Sequence, residues 1–226
     1  MICVISGGGS ALMTLPVEGV TLTDMQSLTD LLLRSGATIN EINTVRKHLS
    51  RIKGGGLARL TYPARLVSLI LSDVVGNPLD VIASGPTVPD DTTFADAWAV
   101  LERHSLLEKA PSSVVAHLQE GRAGQVPETP KPGDPIFARV QNLIVGSNDI
   151  AASKGVEQAR QEGLNAMLLT TYVEGEAREV SKVAAAFAKE MATSNRPLPR
   201  PACLVAGGET TVTVHGRGLG GRNQEL

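Results

Sequence analysis

Cysteine is scarce: Cys3 and Cys203 are the only two in 226 residues, and neither sits in a C-x-x-C pair. A disulfide framework is therefore excluded. Charge of either sign is not in excess, because 21 Lys and Arg face 23 Asp and Glu for a net charge of −2. That balance excludes a strongly basic nucleic-acid binder and a highly charged disordered tail. No run approaches the roughly 18 apolar residues of a membrane span, and no charged segment precedes an apolar core at the N-terminus. The expectation is a protein of the reducing cytoplasm with no nucleic-acid or membrane partner. His48, His104, His117 and His215 show no metal spacing, and H-E-x-x-H and G-x-S-x-G are absent, so the histidines read as surface or structural. What is present is an ordinary globular composition: 42% hydrophobic residues plus 23 glycines, enough chain for one large domain or two modest ones.

The chain opens on Met1-Ile2-Cys3-Val4-Ile5, a continuous apolar run that predicts a strand buried on both faces. Periodicity predicts helices over 23–34, with Leu28, Leu31 and Leu32 on one face and Gly36 as the stop, and over 40–49. A strand follows at 66–71, then a loop at 82–87 and helices over 93–104 and 112–120. Residues 127–135 hold four prolines in nine; proline lacks an amide donor and disfavours helix in the preceding residue, so a linker or domain crossing is expected. Beyond it come strand 140–145, helix 149–162 stopped by Gly163, strand 165–170, an alanine-rich helix 174–193, and strands 202–206 and 210–215. This alternation predicts an α/β fold: Rossmann-like, three-layer, with mainly parallel sheets, in two incomplete domains at 1–135 and 136–226. The chain starts in a strand and stops where a helix is about to begin, so a fragment of a longer protein is expected.

Clustered glycines mark the candidate chemistry. Ser6-Gly7-Gly8-Gly9-Ser10 follows a parallel-type strand, at the edge where α/β folds bind ligands. Consecutive glycines let amides converge into an anion nest flanked by two hydroxyls, the alternative being a tight strand-to-helix turn. No Gly-Lys-Ser/Thr follows, so this is not a Walker A loop. Asn43, Arg46 and Lys47 share a helix face that can take a carboxylate through arginine and a phosphate through lysine, or serve as a plain cationic surface. Asp73, after the second strand-like run, can hold magnesium or a substrate hydroxyl, or cap a turn. Asp80, Asp90 and Asp91 read as turn and cap residues. Gly207-Gly208-Glu209 adds a carboxylate behind a strand. Residues 216–221 match G-x-G-x-x-G, but the chain ends before the acidic residue a dinucleotide site needs. Gly220 and Gly221 lead into Arg222, a guanidinium beside glycine amides, which suits developing phosphoryl charge.

Together and in this order, these segments resemble the glycerate 2-kinase family of the MOFRL type. Those carrying the resemblance are Ile5-Ser6-Gly7-Gly8-Gly9-Ser10-Ala11-Leu12, Asn43-Thr44-Val45-Arg46-Lys47-His48-Leu49-Ser50 with Lys53-Gly54-Gly55, Ser72-Asp73-Val74-Val75-Gly76, residues 82–88, residues 128–134, Gly207-Gly208-Glu209-Thr210-Thr211-Val212 and Gly220-Gly221-Arg222-Asn223-Gln224-Glu225. The resemblance implies two α/β domains with the active site in the cleft between them. It also implies transfer of the ATP γ-phosphoryl group to the 2-hydroxyl of D-glycerate with a divalent metal, Mg2+. Residues 1–135 would then be the C-terminal part of the N-terminal kinase domain, and 136–226 would include the start of the MOFRL region. Family members are longer, and their Gly-Lys-Ala segment does not occur here. On this reading Ser6 to Ser10, Asn43 and Arg46 hold the substrate. Gly207, Gly208, Glu209, Gly220 and Gly221 serve the nucleotide, Asp73 and Glu209 the metal, and Arg222, Lys47 and Asp73 are catalytic. A homo-oligomer is the one protein partner considered. The alternatives are an NAD(P)-dependent hydroxypyruvate reductase and a non-catalytic binding fragment.

Overall fold

The structure, a computed structural model, describes residues 1–213 and 221–226. The chain divides into two compact units: Met1–Leu71 with Pro78–Val145, and Ser72–Asn77 with Gly146–Leu226. The proline-rich stretch expected to be a crossing stays inside the first unit. Its Pro130 carbonyl accepts from the Asp90 amide (2.9 Å) and its Thr129 hydroxyl donates to the Asp90 carboxylate (3.0 Å), so side-chain and backbone bonds hold it there.

In the first unit β1 (Ile2–Ile5) leads into the short α1 (Gly9–Leu12). The helices α2 (Leu22–Arg34), α3 (Ile39–His48) and α4 (Gly56–Thr61) follow, then β2 (Leu66–Leu71). After α5 (Phe94–Arg103) and α6 (Ser112–Arg122), β3 (Val140–Gly146) completes a sheet of order β1-β2-β3. β1 and β2 run parallel, in a register pairing Ile2 with Val67 and Ile5 with Ile70. Helices α2 and α3 begin at Leu22 and Ile39, behind the capping residues Thr21 and Thr38 and earlier than periodicity suggests. Each threonine oxygen accepts the amide three residues on while that residue's carboxylate accepts the threonine amide, so the hydrogen bonds rather than the apolar stripe set the boundary. Leu28 and Leu32 of α2, Val45 of α3, Leu101 of α5 and Leu118 of α6 meet in one buried helical core. A separate small cluster of Ala58, Leu66 and Ile136 lies under the sheet.

β1 is a correction to the expected two-sided burial. Ile5 is buried, but Ile2 and Val4 are 71% and 77% exposed. Leu143 and Val145 of β3 are exposed too. Among the described residues only one face of this sheet is covered, so the expected third layer is missing there.

The second unit alternates α7 (Asn148–Gln161), β4 (Asn165–Glu176), α8 (Ala177–Ser194), β5 (Ala202–Thr211) and the short α9 (Arg222–Glu225). β4 and β5 are parallel. Val156 and Ala159 of α7 pack on one face of the pair with Ala166, Leu168, Cys203 and Val205. α8 follows the opposite face, where Leu204 and Ala206 point. β4 runs past its expected end at 170, because it keeps pairing through two irregularities to Glu176 opposite Thr211; α8 therefore starts at Ala177 rather than at 174. The strands expected at 202–206 and 210–215 join into one over their described part, since Gly207 and Gly208 continue the ladder. A methyl on Gly208 would lie 2.0 Å from the Val173 carbonyl, so only glycine lets the backbones approach this closely.

Candidate functional site

The glycine loop after β1 is held from below by side chains of α3 and the segment following it. Gly8, in the left-handed region (φ 79°), turns the chain into α1. A methyl at Gly9 would sit 3.1 Å from the Ala83 methyl, so glycine admits the 82–84 turn against the loop. Arg46 donates to the Ser10 carbonyl at 2.5 Å, and the Lys53 ammonium donates to the same carbonyl at 2.7 Å and to the Met13 carbonyl at 3.1 Å. The Ser10 hydroxyl pairs with the Ser84 hydroxyl at 2.6 Å, and Ser84 donates onward to the Asn43 side-chain carbonyl at 3.0 Å. Asn43, Lys53 and Ser84 are all buried. Above them Ser6, Gly7 and Gly8 are exposed. Among the described residues no acceptor meets the amides of Gly7 and Gly8.

The electrostatics of this loop are one-sided. Among the described residues no carboxylate lies within ion-pair range of Arg46 or Lys53. Burial, followed by the neighbouring Arg46 charge, pushes Lys53 from 10.5 down to about 8. Burial also lowers Arg46. Two adjacent cations bonded only to carbonyls are costly, and an incoming anion would offset that cost.

Lys47 has a different environment. Its ammonium is buried against the Asp90 carboxylate at 3.3 Å. Asp90 is fully buried, which raises its pKa, but hydrogen bonds from Thr92 and the Lys47 charge outweigh this and lower it. Thus Asn43 and Arg46 converge on the glycine loop, while Lys47, on the same helix, is committed to an acid. Nearby, Glu128 accepts from the Phe94 amide at 2.8 Å and lies 3.2 Å from the buried His48 ring. His117 donates through its Nε2 to the His48 backbone carbonyl at 3.0 Å. Both histidines are therefore packed inside the unit.

In the second unit Glu209 meets Arg222 at 2.6 Å. Gly207 lies against Asn148: a methyl there would be 2.1 Å from the Asn148 side-chain oxygen. Asp73 is exposed, in a segment tied by the Ser72 amide to the Gly146 carbonyl at 2.9 Å. Gly221 precedes α9, whereas Gly220, His215 and most of the G-x-G-x-x-G match lie outside the described residues. Among the described residues no group of three or more His, Cys, Asp or Glu could hold a metal ion. Magnesium commonly takes only one or two carboxylates besides substrate phosphates, but Glu209 already faces a guanidinium. The described residues do not form a protein-built magnesium cage. Lys53 and Ser84 are the residues sequence reasoning passed over. Lys53 stood as part of a helix-ending Lys-Gly-Gly-Gly run, and its clue was a lone cation among glycines.

The family model described as a domain of unknown function (DUF4147) matches residues 1–119, and the MOFRL family model matches residues 202–226. The chain is similar to a glycerate 2-kinase of Pyrococcus horikoshii, 49% identical over 98% of this chain and 50% of that protein. It is likewise similar to a D-glycerate 2-kinase of Thermotoga maritima, 47% identical over 98% of this chain and 50% of that protein. The crystal structure of a glycerate kinase from Thermotoga maritima superposes with a TM-score of 0.85 at 45% identity, over 99% of this chain and 51% of that one. The chain spans about half the length of the curated relatives it matches. Among the described residues no helix is long and apolar enough to cross a membrane.

Proposed function

The chain belongs to the DUF4147 family, and from that premise we propose that it carries part of a cytoplasmic glycerate 2-kinase, transferring the γ-phosphoryl group of ATP to the 2-hydroxyl of D-glycerate. The observation that carries this reading is the cation pair Arg46 and Lys53, without an acid among the described residues, beneath a loop whose Gly7 and Gly8 amides meet no acceptor among those residues. A small carboxylic acid or its phosphate supplies the missing negative charge. The similarity to glycerate 2-kinases of Pyrococcus horikoshii and Thermotoga maritima supports the same substrate.

Phosphoryl transfer asks a protein for positioning and charge neutralisation more than for covalent chemistry. The 6–10 loop and Arg46 hold the glycerate carboxylate, with Asn43 and Ser84 fixing the loop. The 2-hydroxyl oxygen bonds to the γ-phosphorus as the bond from that phosphorus to the ADP oxygen breaks. The hydroxyl proton passes to a carboxylate, for which Asp73 is the candidate. Arg222 meets charge developing on the transferred group, released for that task from Glu209. Gly207, Gly208 and Gly221 bring backbone close to the nucleotide, and ATP enters as its magnesium complex, a substrate. Lys47 acts through Asp90, keeping α3 in place.

The deciding experiment supplies the full natural gene product with D-glycerate and ATP, then with hydroxypyruvate and NADH. The expected products are 2-phosphoglycerate and ADP, with NADH untouched. NADH oxidation without phosphoglycerate would establish the reductase instead, and glycerate binding without turnover would establish a non-catalytic module.

A further inference from the structure

The second unit contains a cavity of about 310 Å3 that none of the roles above uses. Three segments form it: the Ser72–Asn77 loop, the start of α7, and the end of β4. The β4 wall owes its shape to irregular pairing. Thr170 faces Ala206 and Val173 faces Gly208, so β4 has one residue more than its partner between these pairs. An extra residue re-aims side chains, and here it leaves the Tyr172 ring 67% exposed on the cavity wall. Asn148 holds the opposite side in place. Its amide donates to the Thr171 carbonyl at 3.0 Å while its oxygen lies against Gly207. Gly76 faces the tyrosine without crowding it; even a methyl there would stand 3.7 Å from the ring.

The charge of the lining selects the ligand. Among the described residues no lysine or arginine contributes to it, and the one carboxylate there is Asp149, in the first turn of α7. A helix N-terminus ordinarily attracts anions, but Asp149 already places negative charge there and repels phosphate. The remaining polar groups, Asn77, Asn148 and Thr171, are neutral. A volume near 300 Å3 is at the small end of ligand cavities, suited to a moiety rather than to a whole nucleotide. An exposed aromatic face, neutral amides and one acceptor carboxylate together match an uncharged, planar, hydroxyl-bearing group.

We propose that this cavity takes the base and ribose of the nucleoside triphosphate, with Tyr172 stacked on the base and Asp149 accepting from the ribose hydroxyls. The assignment deepens the phosphoryl-transfer reading and rests on it for the identity of the ligand.

The test measures binding of ADP and of inorganic tripolyphosphate by calorimetry to the full natural gene product, without glycerate. Y172A is expected to weaken ADP about tenfold, the loss typical of a removed base–aromatic stack, and Y172F to stay within about twofold of wild type. Tripolyphosphate, which has no base, is expected to bind Y172A and wild type equally. Unchanged ADP affinity in Y172A, equal losses for ADP and tripolyphosphate, or no ADP binding by the wild type would each overturn the proposal. Tyrosine-dependent ADP binding in a protein that phosphorylates no glycerate would uphold the cavity and defeat the kinase reading. Glycerate phosphorylation with an unaltered KM for ATP in Y172A would do the reverse.

Discussion

Among the described residues Arg46 and Lys53 of the first unit have only carbonyl oxygens for partners, whereas Arg222 of the second has Glu209 at 2.6 Å. The same contrast recurs within one helix, where Lys47, next to Arg46, is neutralised by Asp90. Position in the sequence does not separate these cations; the presence of an acid does. A buried cation with a carboxylate is a structural element that tolerates no loss of its partner. One without a carboxylate leaves the chain with unmet charge, and that charge points to a ligand. In the second unit the guanidinium is occupied by Glu209, so on the proposed reading it exchanges one anion for another when phosphate arrives.

The contrast can be broken most forcibly at Arg222. In the full natural gene product, Arg222→Ala is expected to lower kcat at least about a hundredfold, the scale of one cation aimed at developing charge, about 3 kcal/mol. Steady-state turnover with ATP and glycerate measures it, and an unaltered kcat removes Arg222 from the chemistry. A smaller effect is expected at Lys53. Lys53→Met should raise the KM for glycerate about tenfold, as expected from losing a charge-assisted contact. In the wild type glycerate affinity should fall as pH rises through about 8, where Lys53 loses its proton, and the variant should lack that inflection. The stability effect has the opposite direction. The folded pKa of about 8 lies below the ordinary 10.5, so between them the unfolded chain holds more protons and this group's contribution rises with pH. The difference in Tm between wild type and Lys53→Met, followed across that window, tests the sign. A purely steric change in the acid-paired unit acts on stability instead: Gly208→Ala should destabilise by about 1–3 kcal/mol through collision with the Val173 carbonyl. Denaturant unfolding reads this cost, and a neutral result would mean that the two strands part more easily than their register suggests.

Local features were legible in the sequence. The apolar run at 66–71 coincides with β2, and Gly163, at φ 84°, closes the helix that it was expected to stop. The glycine cluster at 6–10 and the pair Asn43 and Arg46 stood out by composition and by helical spacing, and the structure brings them together. What stayed hidden depends on contacts distant in the chain. Asp90 read as a turn residue, and it does accept the Thr92 amide, but its Lys47 partner lies 43 positions away. Ser84, though inside the 82–88 segment, did not stand out as a site residue, because its role arises only when the 82–84 turn reaches Ser10, 74 positions upstream. The length of β4 was equally invisible, since glycines that punctuate a lone segment become permissible once a neighbouring strand needs the space.

Ala83, Ser84 and Gly85 follow one another with φ of 52°, 62° and 63°. For alanine and serine this basin costs on the order of 1 kcal/mol or more apiece, yet the hydroxyl linking Ser10 to Asn43 hangs from that segment. Such a hinge cannot swing idly between alternatives. Its torsional tension is met once, during folding, and the Ser84 hydroxyl then stays fixed between Ser10 and Asn43 beneath the glycine loop.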